Sequence, residues 1–115
     1  MSWWRPTMRV LKFKVNQQKL EKDPSCDFSD IIQGSKNYLC CDFVFDKNLQ
    51  KYRKVACFIN DRSVEYVPII NDRCFVPDSV AQGDVINFFI TFVDKEEQFD
   101  TNQIYVRQVT SQWKH

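Results

Sequence analysis

The segment between residues 35 and 59 constrains the fold of this chain more than any other part of the sequence. Its first half alternates between apolar and mostly polar positions, and a polar crossing then leads to a second apolar run. Because successive side chains of a strand point to opposite faces, a period of two predicts a strand with one buried and one wet face. One face consists of Leu39, Cys41, Phe43 and Phe45, and the other of Cys40, Asp42, Val44 and Asp46. Such a sheet is typical of an antiparallel sandwich or barrel rather than of a parallel α/β enzyme.

Strand patterns separated by turn residues recur along the rest of the chain. The predicted strands are residues 9–15, 38–45, 54–59, 64–70, 74–76, 85–93 and 103–110. Residues 17–37 are polar and predict a long connection, within which residues 30–32 form a short pairing segment. Pro68 lacks an N–H donor, which predicts that the fourth strand is either an edge strand or a bulged one. Short strands at this spacing, without a convincing helix, predict an all-β, immunoglobulin-like antiparallel β-sandwich of about seven strands.

The length of 115 residues predicts one domain. We expect residues 1–8 to be a flexible N-terminal tail and residues 9–115 to form a single sandwich domain. Sixteen basic and 15 acidic residues give a net charge of +1, so neither nucleic acid nor a membrane is expected as a partner. The five cysteines are odd in number, and the adjacent Cys40 and Cys41 point to opposite faces, which makes them poor disulfide partners. Reduced thiols indicate assembly in a cytoplasm.

Motifs for catalysis or metal binding are weak in this sequence. The only histidine is the last residue, His115, whereas a Ser-His-Asp or Cys-His mechanism requires an imidazole that is held in place. The carboxylates of Asp94, Glu96, Glu97 and Asp100 lie in one turn rather than on opposed strands. This arrangement favours a solvated turn over a glycosidase pair or a calcium site. We therefore expect no enzymatic activity, no metal and no cofactor.

Aromatic side chains supply the candidate binding residues. The three tryptophans lie near the two ends of the chain, where they either contact a partner or cap the core. Phe58 and Phe89, together with Val44, fall on the nominally polar faces of their strands. Large apolar groups on such faces indicate a second covered surface, formed by a partner or by a loop. The candidate partner-binding residues are Trp3, Trp4, Phe58, Phe89 and Trp113.

Several short motifs follow one another in a fixed order between residues 9 and 110. They are Phe13-Lys14-Val15-Asn16, residues 34–39, Asp42-Phe43-Val44-Phe45, residues 54–58, Cys74-Phe75-Val76-Pro77 and Thr101-Asn102. With these motifs the chain resembles a family of small β-sandwich domains in tailed-phage baseplate and tail proteins, in particular the N-terminal domain of siphophage upper baseplate proteins. The resemblance implies a non-catalytic domain that docks other subunits of the tail.

The function predicted from these features is a non-enzymatic phage structural or assembly module that docks baseplate or tail subunits by protein–protein contacts. Its partners are expected to be phage tail proteins or a host protein, with a homo-oligomer as a further option. Strand addition at residues 64–67 is a second mode of docking. The expected location is the virion tail or baseplate, after assembly in the host cytoplasm. Two alternatives stay open: a phage-encoded inhibitor that blocks a host defence protein in the host cytoplasm, and a carbohydrate-binding module that uses its tryptophans.

Overall fold

Strands dominate the regular structure of the computed structural model, which describes residues 8–61 and 63–110. Within these residues the elements are β1 (Arg9–Asn16), β2 (Lys19–Lys22), β3 (Leu39–Phe45), a 3-10 helix (Lys47–Leu49), β4 (Arg53–Ile59), β5 (Val64–Pro68), β6 (Arg73–Phe75), β7 (Val85–Val93), β8 (Gln98–Asp100) and β9 (Ile104–Arg107). Nine strands are therefore described rather than about seven, because β2 and β8 lie in segments predicted as connections. Apart from Met8, the predicted tail lies outside the described residues.

The strands form two sheets that pack face to face, so the predicted all-β sandwich is confirmed. The first sheet has the order β2-β1-β3-β6, and the second has the order β5-β4-β7, with β8 and β9 both paired to the far side of β7. Every pairing between these nine strands is antiparallel except that of β1 with β3. The predicted antiparallel sandwich therefore contains one parallel pair, because the connection after β2 returns the chain to the start of β1.

Phenylalanine rings from both sheets meet in the middle of the sandwich. Phe88 of β7 is fully buried, and its ring centroid lies 5.2 Å from that of Phe13 and 6.2 Å from that of Phe43 in the opposite sheet. The ring of Phe58 on the neighbouring strand lies 5.0 Å from that of Phe88. Tilted and edge-to-face contacts at these distances are favourable beyond the area that they bury. This aromatic core fixes the inner face of each sheet, and the alternate side chains are therefore turned outward.

The long connection between β2 and β3 is held against the sandwich by hydrogen bonds to its backbone. The Arg9 guanidinium donates to three carbonyl oxygens in residues 27–30, at distances of 2.6–3.1 Å. Ile31 is buried in the core, and Ile32 forms a parallel bridge with Val109. The short pairing segment predicted at residues 30–32 is thereby confirmed.

Candidate functional site

The outward-facing side chains of the second sheet form a largely apolar face. The strand register places Cys57 of β4 between Tyr66 of β5 and Phe89 of β7. Because register partners on adjacent strands lie side by side, the apolar side chains of this face are contiguous. We call this set the outer apolar face; it consists of Val55, Cys57, Ile59, Val64, Tyr66, Pro68, Val85, Phe89, Val93 and Tyr105.

Several members of the outer apolar face are open to solvent. Tyr66, Tyr105 and Val64 expose 70%, 56% and 44% of their surface, respectively. Phe89 lies between them in the middle of the sheet and is half-buried by its neighbours. Scattered exposed apolar residues are ordinary, whereas a contiguous patch marks an interaction site.

Charged side chains lie at the border of the outer apolar face. The positions inside it that are not apolar, Asn87 and Thr91, are uncharged. Arg53 lies at one end of the face, as the register partner of Val93. At the other end, Asp61 and Asp84 flank the end of β4 and the start of β7. An uncharged centre with a polar rim is the distribution found in protein–protein interfaces.

The outer face of the first sheet has a different character. Its middle carries charged residues of opposite sign in register, with Lys14 of β1 opposite Glu21 of β2 and Lys12 of β1 opposite Asp42 of β3. Val44 exposes 65% of its surface on this face, and Lys14 is its register partner. Contiguous apolar exposure is thus a property of the second sheet, and Val44 provides a matched exposed position on the first.

Cys57 lies on the outer apolar face but is almost fully covered by its neighbours. The Thr91 hydroxyl donates to Asp100 Oδ1 at 2.8 Å, and Cys57 Sγ lies 3.6 Å from Thr91 Oγ1. Burial raises the pKa of the Cys57 thiol, and burial likewise raises the pKa of Cys40 to about 11. Both thiols are therefore protonated at neutral pH and pack as small apolar groups rather than acting as nucleophiles.

A cleft of about 430 Å³ opens at the acidic end of the outer apolar face. Its walls include the apolar Ile59, the ring of Tyr105 and the carboxylates of Asp61 and Asp84. Asn87 also lines the cleft, and its Oδ1 is buried without a hydrogen-bond partner among the described residues. An unsatisfied buried acceptor costs free energy.

The charged turn between β7 and β8 holds its own backbone. Asp94 Oδ1 accepts hydrogen bonds from the N–H groups of Glu96 and Glu97, both at 2.9 Å, and these bonds lower the pKa of Asp94. In residues 8–61 and 63–110, no group of three or more His, Cys, Asp or Glu is arranged to hold a metal ion. No helix in this part of the chain has the length and apolar character needed to cross a membrane.

The structure separates the two phenylalanines that the sequence grouped as partner-binding candidates. Phe89 lies on the outer apolar face, as expected from its position in β7. Phe58 is fully buried in the core, so the expectation that it lies on an outward surface is wrong. β4 carries apolar residues on both faces, and its register pairs Phe58 with the inward Phe88. The remaining candidates, Trp3, Trp4 and Trp113, lie outside the described residues.

Sequence reasoning missed the two most exposed aromatic residues of this face, Tyr66 and Tyr105. The short gap between the predicted strands 54–59 and 64–70 contains a signal for Tyr66, because a hairpin closed by that gap pairs Tyr66 with Cys57. Tyr105 reaches the face through the pairing of β9 with β7, where it is the register partner of Asn87. No local pattern in the sequence reveals that pairing.

Comparison with known proteins does not identify a family for this chain. No model of a known protein family matches the chain. No curated protein matches it either. The resemblance to phage baseplate domains therefore stays a prediction from the short motifs of the sequence.

Proposed function

We propose that this chain is a non-enzymatic docking module that binds another protein through the outer apolar face. The observation that carries the proposal is the contiguous, uncharged and exposed surface around Tyr66, Phe89 and Tyr105. Burial of apolar surface stabilises a complex by roughly 25 cal/mol per Å² removed from water. Tyrosine is also enriched among the residues that dominate binding energy, since it combines a large apolar ring with a hydroxyl group.

A protein partner fits the shape and charge of this surface better than a small molecule does. The face is the broad outer side of a five-stranded sheet, whereas ligand sites are concave and enclose most of their ligand. The rim carries charges of both signs: Arg53 at one end, Asp61 and Asp84 at the other, and Asp100 and Arg107 along the edge formed by β8 and β9. Rim charges of opposite sign orient a partner and set the rate of encounter.

The partner that we propose is a subunit of a phage tail or baseplate. This choice is supported by the ordered short motifs that resemble upper baseplate proteins, and the outer apolar face supplies a surface suited to such assembly. The raised thiol pKa values of Cys40 and Cys57 fit a non-enzymatic role, because they leave these groups protonated.

The test is co-purification of the partner with the tagged chain from the cells in which the chain is naturally produced. Two variants are compared, each with one substitution at a similarly exposed position, one on each sheet. Tyr105→Glu places a charge in the outer apolar face, and Val44→Glu places the same charge on the outer face of the first sheet. We expect the tagged wild-type chain and Val44→Glu to retain one common partner in equal amounts, and Tyr105→Glu to lose it. Equal retention by all three proteins would overturn docking through this face.

Mass spectrometry of purified virions and of infected cells then tests the class of partner. Presence of the chain in virions, together with a tail or baseplate protein as the partner, supports the structural role. Absence from virions, with a host protein as the partner, would overturn the tail role and support the inhibitor alternative. A circular-dichroism spectrum of each variant verifies that the sandwich is folded.

A further inference from the structure

The two edges of the first sheet are closed by the chain itself. At the β2 edge, Asn102 Oδ1 accepts a hydrogen bond from the Leu20 N–H at 2.8 Å, and Asn102 Nδ2 donates to the Leu20 carbonyl at 3.0 Å. Beside β6, Ile70 and Arg73 exchange two backbone hydrogen bonds of 3.0 and 3.1 Å. Covered edges of this kind prevent pairing with another chain.

Within residues 8–61 and 63–110, no hydrogen bond closes the β5 edge of the second sheet in this way. The bonds from Ile69 N–H to the Lys54 carbonyl and from Asn60 N–H to the Ser63 carbonyl fix which β5 residues bond to β4. In an antiparallel ladder these residues alternate with residues whose backbone groups point away. Val64, Tyr66 and Pro68 therefore present three carbonyls and two N–H groups at the open edge, since proline has no N–H.

The side chains along this edge give it less protection than those at the opposite edge of the same sheet. Charged outward residues blunt most exposed edge strands. The opposite edge of the second sheet carries Asp100 on β8 and Arg107 on β9. The residues of β5 that face outward are instead uncharged, and the features of β5 that discourage pairing are Pro68 and the inward-facing Glu65.

We propose that the β5 edge pairs with β5 of a second copy of this chain, in an antiparallel register centred on Tyr66. In this register each Tyr66 N–H donates to the Tyr66 carbonyl of the other copy. Each Val64 N–H donates to the Pro68 carbonyl of the other copy, so the missing proline N–H costs one bond at each end. Four hydrogen bonds then join the copies around a two-fold axis, which is the symmetry of an isologous dimer.

The charge on β5 selects this register over its neighbour. In the proposed pairing, Glu65 of one copy lies opposite Val67 of the other. In the neighbouring register, one β5 strand is moved along the other by two residues, and Glu65 then lies opposite Glu65. Like charges directly opposite each other are unfavourable. The proposed register also continues the sheet from one copy into the next, so the two outer apolar faces become one surface.

The first test is the sedimentation of the purified chain over a range of concentrations. We expect a monomer–dimer equilibrium for the wild-type protein. Tyr66→Lys and Tyr66→Glu should each weaken the dimer roughly tenfold or more, because two like charges replace an aromatic pair at the two-fold axis. An equimolar mixture of the two variants should recover the dimer. Val44→Lys is the control and should sediment like the wild type.

A wild-type chain that stays monomeric to millimolar concentration would overturn the proposal, and so would a dimer that neither Tyr66 variant weakens. Failure of the mixture to recover would contradict the register. A dimer that Tyr105→Lys weakens and the Tyr66 variants do not would place self-association on the face instead of the edge. Loss of β5 pairing leaves the docking test with Tyr105→Glu unaffected, so the two proposals fail separately.

Cysteine cross-linking in a Cys26→Ser background tests the register directly. Tyr66→Cys places two thiols on a hydrogen-bonded pair, whose Cα separation of about 5.5 Å lies within the range for disulfides. In Val64→Cys the two thiols are not on paired residues, because position 64 lies opposite Pro68 of the other copy. Rapid oxidation to a covalent dimer is expected for Tyr66→Cys and not for Val64→Cys; equal rates would overturn the register.

Discussion

Truncation of Phe58 to alanine tests the assignment of the two faces of β4. Phe58 is fully buried, and its ring packs against that of Phe88 at 5.0 Å. Removal of a core phenylalanine ring lowers the free energy of unfolding by about 3–5 kcal/mol, as the sum of lost burial and the cavity that remains. That is a large part of the roughly 5–15 kcal/mol by which domains are stable. The matched variant is Phe89→Ala on the outer apolar face, where partial burial limits the loss to about 1–1.5 kcal/mol.

The assay is urea unfolding of both variants, followed by circular dichroism in the region of the strand signal. We expect the midpoint to shift much more for Phe58→Ala than for Phe89→Ala, with an unchanged dependence of the free energy on urea. The difference between the variants should be about 2 kcal/mol or more. Equal losses, or a loss below about 1 kcal/mol for Phe58→Ala, would refute the placement of Phe58 in the core.

Three further predictions concern hydrogen bonds and thiols. Asn102→Ala removes both bonds that cover Leu20 and should lower the free energy of unfolding by about 1–3 kcal/mol, whereas an unchanged urea midpoint would contradict this role of the amide. Hydrogen bonds from the Ser29 hydroxyl and N–H lower the pKa of Asp27, so stability should fall as the pH drops through that pKa, and Asp27→Asn should lose this part of the pH dependence in acid unfolding curves. Cys26 is the one thiol that is not buried and should react with a thiol reagent in the native protein, with the other four reacting after unfolding; a second fast thiol would contradict the packing.

The longest strands were predictable because their alternation is strong and local. β1, β3, β4 and β7 begin and end within one residue of the segments predicted from the sequence. β2 was missed because Leu20 is its only apolar residue and because Gln17-Gln18, the two residues that join it to β1, contain none of the Asn, Asp or Gly residues typical of a hairpin turn. The parallel pairing of β1 with β3 was missed since alternation is the same for both strand directions.

The candidate site was predictable in part. The place of Phe89 on a second covered surface was predictable because β7 carries apolar residues on both faces. A strand that is apolar on both sides needs a second covering layer. Phe58 was assigned to the wrong face because both phases of β4 are apolar, and the register with β7 decides between them. The position of Tyr105 on the outer apolar face depends on the pairing of β9 with β7. The sequence pattern does not predict that pairing.

The most direct test of the docking face is site-specific photo-cross-linking in the native cell. A photoreactive phenylalanine analogue is placed at Tyr105 on the outer apolar face, and in a second protein at Val44 on the outer face of the first sheet. Both positions are more than half exposed, at 56% and 65%, so their intrinsic access to a partner is similar. Docking through the outer apolar face predicts one discrete cross-linked protein from position 105 and none from position 44. Cross-links of equal yield from both positions, or from position 44 alone, would contradict it.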